Sequence, residues 1–364
     1  MDSLIPGLID DLGRACLIRV PFQDFPSISA VCRGWSAEIR LSEFRRLRKA
    51  AGVTRPVLVL AQAIPHDPNQ SPGDGIKQNP SRPIYGLTVF DPVTGCRTSL
   101  PAIPGMPEGT GMPMFCGLLG CGSDLLVIGG WDPSTWLASK AVYIYNFLSG
   151  TWRRGSDMPG PRRSFFGYAS SDHDRAVLVA GGHDEDKNAL RSVIMYDVAE
   201  DKWVPLPDMA RERDECRVIF RCGRFHVISG YPTATQGQFE RTAEAFDHAT
   251  CQWGSVIDDF LEPSAIPGSC MAGPGGRMFA FTGHRSDDVA VKEGDKWHVV
   301  AKVPADVSCS QWGTIYGAKM MVIGSSKFGA DQNGYVLDLG NYKWNRIDMY
   351  RHSGHVQCGC VMEL

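Results

Sequence analysis

The sequence predicts a mainly β protein: a six-bladed propeller closed by its C-terminal strand, with a small all-α segment in front of it. Two observations carry the propeller. A tryptophan recurs at a period near fifty residues, and a short apolar strand ending in small residues recurs about twenty residues before it. A third observation carries the α segment: residues 1–51 lack both features and place apolar residues at helical spacing.

The repeats fix the order of the elements. "VYIYNFLSGTW" ends at Trp152, "VIMYDVAEDKW" at Trp203, "AEAFDHATCQW" at Trp253, "VAVKEGDKW" at Trp297 and "GYVLDLGNYKW" at Trp344, spacings of 51, 50, 44 and 47 residues. The preceding strands read "LLVIGG", "AVLVAGG", "FHVISG", "MFAFTG" and "MMVIGS". An earlier, degenerate copy reads "VLVLAQ" and then "YGLTVFDPVTGCRTSLP", with Arg97 where tryptophan would stand. In the clearest copy four strands are expected near Phe165 to Ser170, Ala176 to Ala180, Val193 to Asp197 and Lys202 to Leu206. The second is continuously apolar, as a strand covered on both faces should be. Glycines after it permit positive φ and close backbone approach, and the tryptophan adds apolar surface between adjacent sheets. Both are structural.

Four-stranded units at this period resemble the kelch repeat. The resemblance covers roughly residues 55 to 364 and is strongest in the second and third units; Ser229-Gly230, Thr282-Gly283 and Gly324-Ser325 stand for the full doublet later. The first of the six units begins with a second strand, and "HVQCGCVMEL" has no unit after it. Ring closure by this last strand removes both open edges.

In the N-terminal segment, "LIDDLGRACLIRV" brings Leu8, Leu12, Ala15 and Cys16 together, with Leu17 and Val20 extending the face. "DFPSISAVCRGWSAEIRLSEFRRLRK" reads as one or two further helices with an apolar stripe of Ile28, Val31, Cys32 and Trp35. Arg45, Arg46, Arg48 and Lys49 read as an exposed basic side. Three short helices bury little surface alone, so part of the face must meet the propeller or another protein.

The blocks "LIPGL", "CLIRVPF" and "VCRGW" resemble the F-box, although Ile5 stands where leucine is commoner and Cys16 where isoleucine is commoner. The expected domains are therefore an F-box over 1–51 and a kelch propeller over 52–364. The resemblance implies docking on a Skp-family adaptor, and through it a cullin, by Leu4, Ile5, Pro6, Leu8, Cys16, Leu17, Val20, Pro21, Val31, Cys32 and Trp35. An F-box followed by kelch repeats is similar to a large plant group. "GGHDEDKNA", "YDVAEDKW" and "RERDEC" look closest to members that direct turnover of phenylpropanoid or flavonoid enzymes or of hormone-response regulators. The implied role is a non-catalytic substrate receptor of an SCF ubiquitin ligase, in the cytoplasm, the nucleus or both. Its implied target is phenylalanine ammonia-lyase, a flavonoid enzyme or a response regulator.

Composition weighs against other classes. A net charge of −3 argues against a nucleic-acid binder relying on bulk basicity. Asp2, Asp10 and Asp11 interrupt any secretory signal, and no run of eighteen apolar residues suggests a membrane span. The twelve cysteines are expected to be reduced and mostly buried; "CGLLGC" and "CGC" lack usual zinc spacing. No nucleophile elbow, phosphate loop or metalloprotease motif is present, and no cofactor or metal is expected. Two alternatives stand beside the receptor: a ligase-independent scaffold, and a kelch-type metal oxidase drawing on His352, His355 and Tyr316, Tyr335 or Tyr350.

In an antiparallel blade, the loop after the second strand and the connection to the next blade emerge on one face. After the second strands lie Trp131, Trp136, His183, Asp184, Glu185, Tyr231, Phe239, His284 and Arg285; between blades lie Arg162, Arg163, Arg211, Arg213, Asp214, Glu215 and Arg351. Loops on a rigid scaffold, rich in arginine and aromatic residues, are the expected substrate-binding surface.

Overall fold

The computed structural model describes residues 3–64, 83–107, 109–171, 175–283, 286–349 and 354–364. Six four-stranded antiparallel sheets form the blades. In blade one the C-terminal strand Val356–Glu363 is innermost and pairs with Pro56–Ala63, from Pro56 opposite Glu363 to Gln62 opposite Val356. The clearest repeat has strands at Gly167–Ser171, Ala176–Ala180, Val193–Asp197 and Lys202–Leu206. Its first strand starts two residues later than expected, because Phe165 adopts a left-handed φ of 52°. The second strands Asp124–Ile128, Ala176–Ala180 and Met278–Thr282 are buried throughout.

The repeated motif has two local causes. Asn146, Asp197, Asp247 and Asp338 each end a third strand and Asp91 directly follows one, and each side chain accepts bonds from backbone N–H groups two and three residues on. These Asx turns aim the chain into the outer strand. The tryptophan then donates its indole N–H to a carbonyl at the end of the preceding blade's outer strand or in the segment that follows it. Trp152 bonds Pro101 O at 2.9 Å, Trp203 bonds Ser156 O at 2.9 Å and Trp253 bonds Pro207 O at 2.7 Å. Trp297 bonds Phe260 O at 3.0 Å and Trp344 bonds Lys302 O at 2.7 Å. Each tryptophan is therefore both apolar filler and an inter-blade clasp. In blade one Arg97 instead stacks over Phe90, 4.9 Å from the ring centroid.

The glycine doublet has a steric cause. The second glycine lies at positive φ, 83° at Gly130, and an added Cβ would stand 2.6 Å from Met114 O. That carbonyl accepts the Trp131 N–H at 2.7 Å, so the loop and the entry to the inner strand of the same blade are stitched where only glycine fits. Gly130→Ala should cost about 2–4 kcal/mol through collision and left-handed strain. Gly160→Ala, at φ 76° with open space around it, should cost about 1 kcal/mol. Urea melts of both variants check the difference.

The N-terminal segment forms four α-helices where three were expected: α1 Asp10–Leu17, α2 Phe25–Val31, α3 Arg33–Ile39 and α4 Ser42–Ala50. Cys32 is extended (φ −159°, ψ 165°) and caps α3 by accepting the Trp35 N–H on Sγ, which breaks the expected Ile28–Trp35 stripe. Arg48 corrects the exposed basic side: it is buried, donates to Ile18 O and Val20 O, and stacks over Phe25.

The helices share one apolar cluster with blades one and two. Phe22 meets Phe147 edge to face at 6.3 Å, and Lys49 pairs with Glu363 at 2.7 Å. Phe147 belongs to the turn between third and fourth strands of blade two, and Glu363 ends the inner strand of blade one. Both lie at the end opposite the inter-blade connections, so the helices pack against the lower face at blades one and two, away from the upper face.

Candidate functional site

On the helical segment, burial separates the expected docking residues. Leu17 is 1% exposed and belongs to the shared core, so it faces inward. Trp35 also packs on that core and donates its indole N–H to Leu4 O at 2.6 Å; Leu4 packs beside it. Ile5, Leu8 and Val20 are half-buried. Pro6, Cys16, Pro21, Val31 and Cys32 are exposed, Val31 at 60%. Ile9, 68% exposed, and Leu12 form a stripe with Cys16 at helical spacing. Ile9 and Leu12 were missing from the expected docking set. The signal was their place in the helical period, which the motif blocks obscured.

On the upper face, a continuous aromatic and acidic arc crosses blades two to four. Phe115 lies 5.5 Å from Trp131 and 5.2 Å from Phe165, and Phe165 lies 5.6 Å from His183. His183 Nδ1 is 2.8 Å from Asp214 Oδ2, and Lys187 stands over Trp131 at 5.6 Å. Beyond them Tyr231 donates to Glu215 Oε1 at 2.9 Å and meets Phe239 at 5.2 Å. Burial, and then Glu215, push the Tyr231 hydroxyl pKa upward. Trp136, at 50%, and Phe239 are exposed, as is Phe115. Arg162 is paired with Glu185 at 3.6 Å, and Asp184 holds the loop by accepting from Asn188. Arg211 is held by Glu240 at 2.9 Å and Asp258 at 3.2 Å; its hydrogen bond to Glu240 raises its pKa.

Phe115 and Phe165 were not among the expected substrate-binding residues, whereas Glu215 lay in a connection that was. Each precedes an inner strand by two residues at φ 54°, 52° and 52°. Their exact fifty-residue register was the available signal.

Two expected contact residues are corrected. Arg163 is buried and donates to Gly181 O, Ser192 O and Ser192 Oγ at 3.0–3.2 Å; burial lowers its pKa to about 10. Arg213, 1% exposed, pairs with the fully buried Glu244 at 3.0 Å and donates to Ser229 O at 2.7 Å. Both lock the inter-blade connection to the exit of the second strand and present no surface to a partner. His183, Asp214 and Tyr231 are likewise buried and act as supports beneath the exposed rim. His284, Arg285 and Arg351 lie outside the described residues.

At the axis, on the same face, is a polar cup of about 420 Å³. Its wall takes Tyr168, Arg217, Gln311, Trp312 and Gln357 from the starts of four inner strands. Sequence reading missed it, because its residues come together only when the ring closes.

Among the described residues no three His, Cys, Asp or Glu side chains form a metal-holding group. Tyr335 donates to Asp306, Tyr316 is buried, and His355 contacts Tyr85 at 3.2 Å; His352 and Tyr350 lie outside the described residues. Five of the twelve cysteines are buried, fewer than expected, and all are free thiols. Among the described residues no helix is long and apolar enough to cross a membrane.

Residues 112–159 and 164–210 match the family model described as the kelch motif. The Arabidopsis thaliana F-box/kelch-repeat protein At1g80440 is 46% identical over 369 residues, covering 100% of both chains. The F-box/kelch-repeat protein At1g15670 of the same plant is 44% identical over 366 residues, again covering 100% of each. The Arabidopsis F-box/kelch-repeat protein SKIP20 is 34% identical over 298 residues, 73% of this chain and 69% of its own.

Proposed function

The chain belongs to the F-box/kelch-repeat family, and on that premise we propose that it is the substrate-recognition subunit of an SCF-type ubiquitin ligase. The helical segment docks the Skp-family adaptor, and the upper face of the propeller holds a target protein. The observation that carries this reading is the separation of the two surfaces. Exposed apolar side chains (Ile9, Leu12, Val31) lie on the helical segment packed against the lower face of blades one and two, while the aromatic arc lies on the opposite face. The polypeptide then performs no bond chemistry; it raises the effective concentration of target near the transferring enzyme. Such a role places it in the cytoplasm or nucleus.

Ile9→Glu combined with Leu12→Glu should abolish adaptor capture, since apolar anchors at such interfaces are each worth about 2 kcal/mol or more. Both side chains are exposed, so the melting temperature should not move. Pull-down of adaptor by the folded double variant would sink the receptor reading. Phe115→Ala with Phe239→Ala should retain adaptor but lose target. Phenylalanine ammonia-lyase, a flavonoid enzyme and a response regulator are the baits to compare.

A further inference from the structure

We propose that the axial cup on the upper face is a binding site for a carboxylate accompanied by a hydrogen-bond donor. The lining sets the charge. Arg217 is the one charged side chain in the described wall, and neither Asp nor Glu lines it. Arg217 Nε donates to Cys270 O at 3.1 Å, which orients the guanidinium, and among the described residues it makes no ion pair. An oriented, unneutralised guanidinium in a concave site selects a planar anion, and a carboxylate fits its fork.

A second group requires a donor. Gln311 Nε2 donates to Ser286 O at 3.1 Å, which fixes the amide so that Oε1 is the free end. That Oε1 is buried and, among the described residues, has no partner. A buried acceptor left unmade is costly, and a hydroxyl or amide N–H beside the carboxylate would satisfy it. The volume, about 420 Å³, suits a small organic acid or one acidic side chain with its own backbone.

The same chemistry has two sources: a free hydroxy acid, or an acidic residue of a bound protein. The binding site stands on its lining alone. A part in target choice rests on the receptor reading above.

The full chain, purified with its adaptor and labelled with 5-fluorotryptophan, reports on the cup through Trp312, assigned by Trp312→Phe. The probes are L-malate, malamide, and the capped peptides Gly-Glu-Gly and Gly-Gln-Gly. Malate, the glutamyl peptide or both should shift the Trp312 resonance saturably, at least about tenfold more tightly than the matching amide. Malate alone would identify a free acid as the source, and the peptide alone a protein side chain. Arg217→Gln should abolish the shift, and Arg217→Lys should retain part of it. Gln311→Leu, which leaves the charge in place, should weaken malate but not succinate, which lacks the hydroxyl. No saturable shift with either acid, or equal binding of acid and amide, overturns the proposal. Adaptor capture on the same samples keeps the two readings apart: its retention with a silent cup leaves the receptor reading intact.

Discussion

Removing Val356–Leu364 should leave the protein insoluble or lower its melting temperature by about 10 °C or more. The strand supplies one entire side of Pro56–Ala63, and Val356, Cys358, Met362 and Leu364 are all buried. Burial of such side chains is worth about 2 kcal/mol each, so the apolar loss alone approaches the whole stability of a typical domain. The truncation also exposes a row of unpaired backbone groups on an apolar edge, which invites aggregation. Thermal unfolding and gel filtration of the truncated chain check this. A melt superimposable on that of the full chain would show that the seam between first and last strands contributes nothing.

The second large effect is at Arg213. Arg213→Leu should destabilise the fold by about 3–5 kcal/mol, because it leaves the Glu244 carboxylate buried at 0% exposure with its cation gone. Glu244 also accepts from the Ala210 N–H at 2.9 Å, so it cannot turn to solvent without breaking the inter-blade connection. Combining Arg213→Leu with Glu244→Leu should recover most of the loss, since removing both charges removes the desolvation penalty. A double-mutant cycle in urea reads the coupling; additive losses would show that the pair is not energetically linked. Arg163→Met should cost less, because its acceptors are carbonyls and a hydroxyl and no charge is stranded.

The arginines show what the sequence could and could not tell. Strand order, blade count and closure were legible because the tryptophan, the Asx turn and the glycine doublet recur in register. The roles of Arg163 and Arg213 were not. An arginine in a connecting segment has the same local sequence whether its guanidinium meets solvent or the carbonyls of the next blade. Leu17 and Ile9 illustrate the same limit in the helices: both are apolar, and only docking against Phe147 and blade one decides which is covered. The aromatic arc was half legible, since Trp131, Trp136 and Phe239 follow second strands in plain view. Phe165 has the sequence of a strand's first residue, and Phe115 stands at the same place one repeat earlier.

The tryptophan bonds run in one sense around the ring. In every case the indole reaches back to a carbonyl that precedes it in the chain by 37 to 51 residues. A blade emerging from the ribosome can therefore fasten onto one already made, and blades two to six can settle in the order of synthesis. Blade one cannot. Its strand Pro56–Ala63 waits for Val356–Glu363, 300 residues later by their first positions. At about 5–20 residues per second that is an interval of about 15–60 s. During it an apolar strand lacks its partner, and only the helices already docked beneath blade one shield it. Closure joins strands that lie at opposite ends of the propeller sequence and should be the slowest event of its maturation.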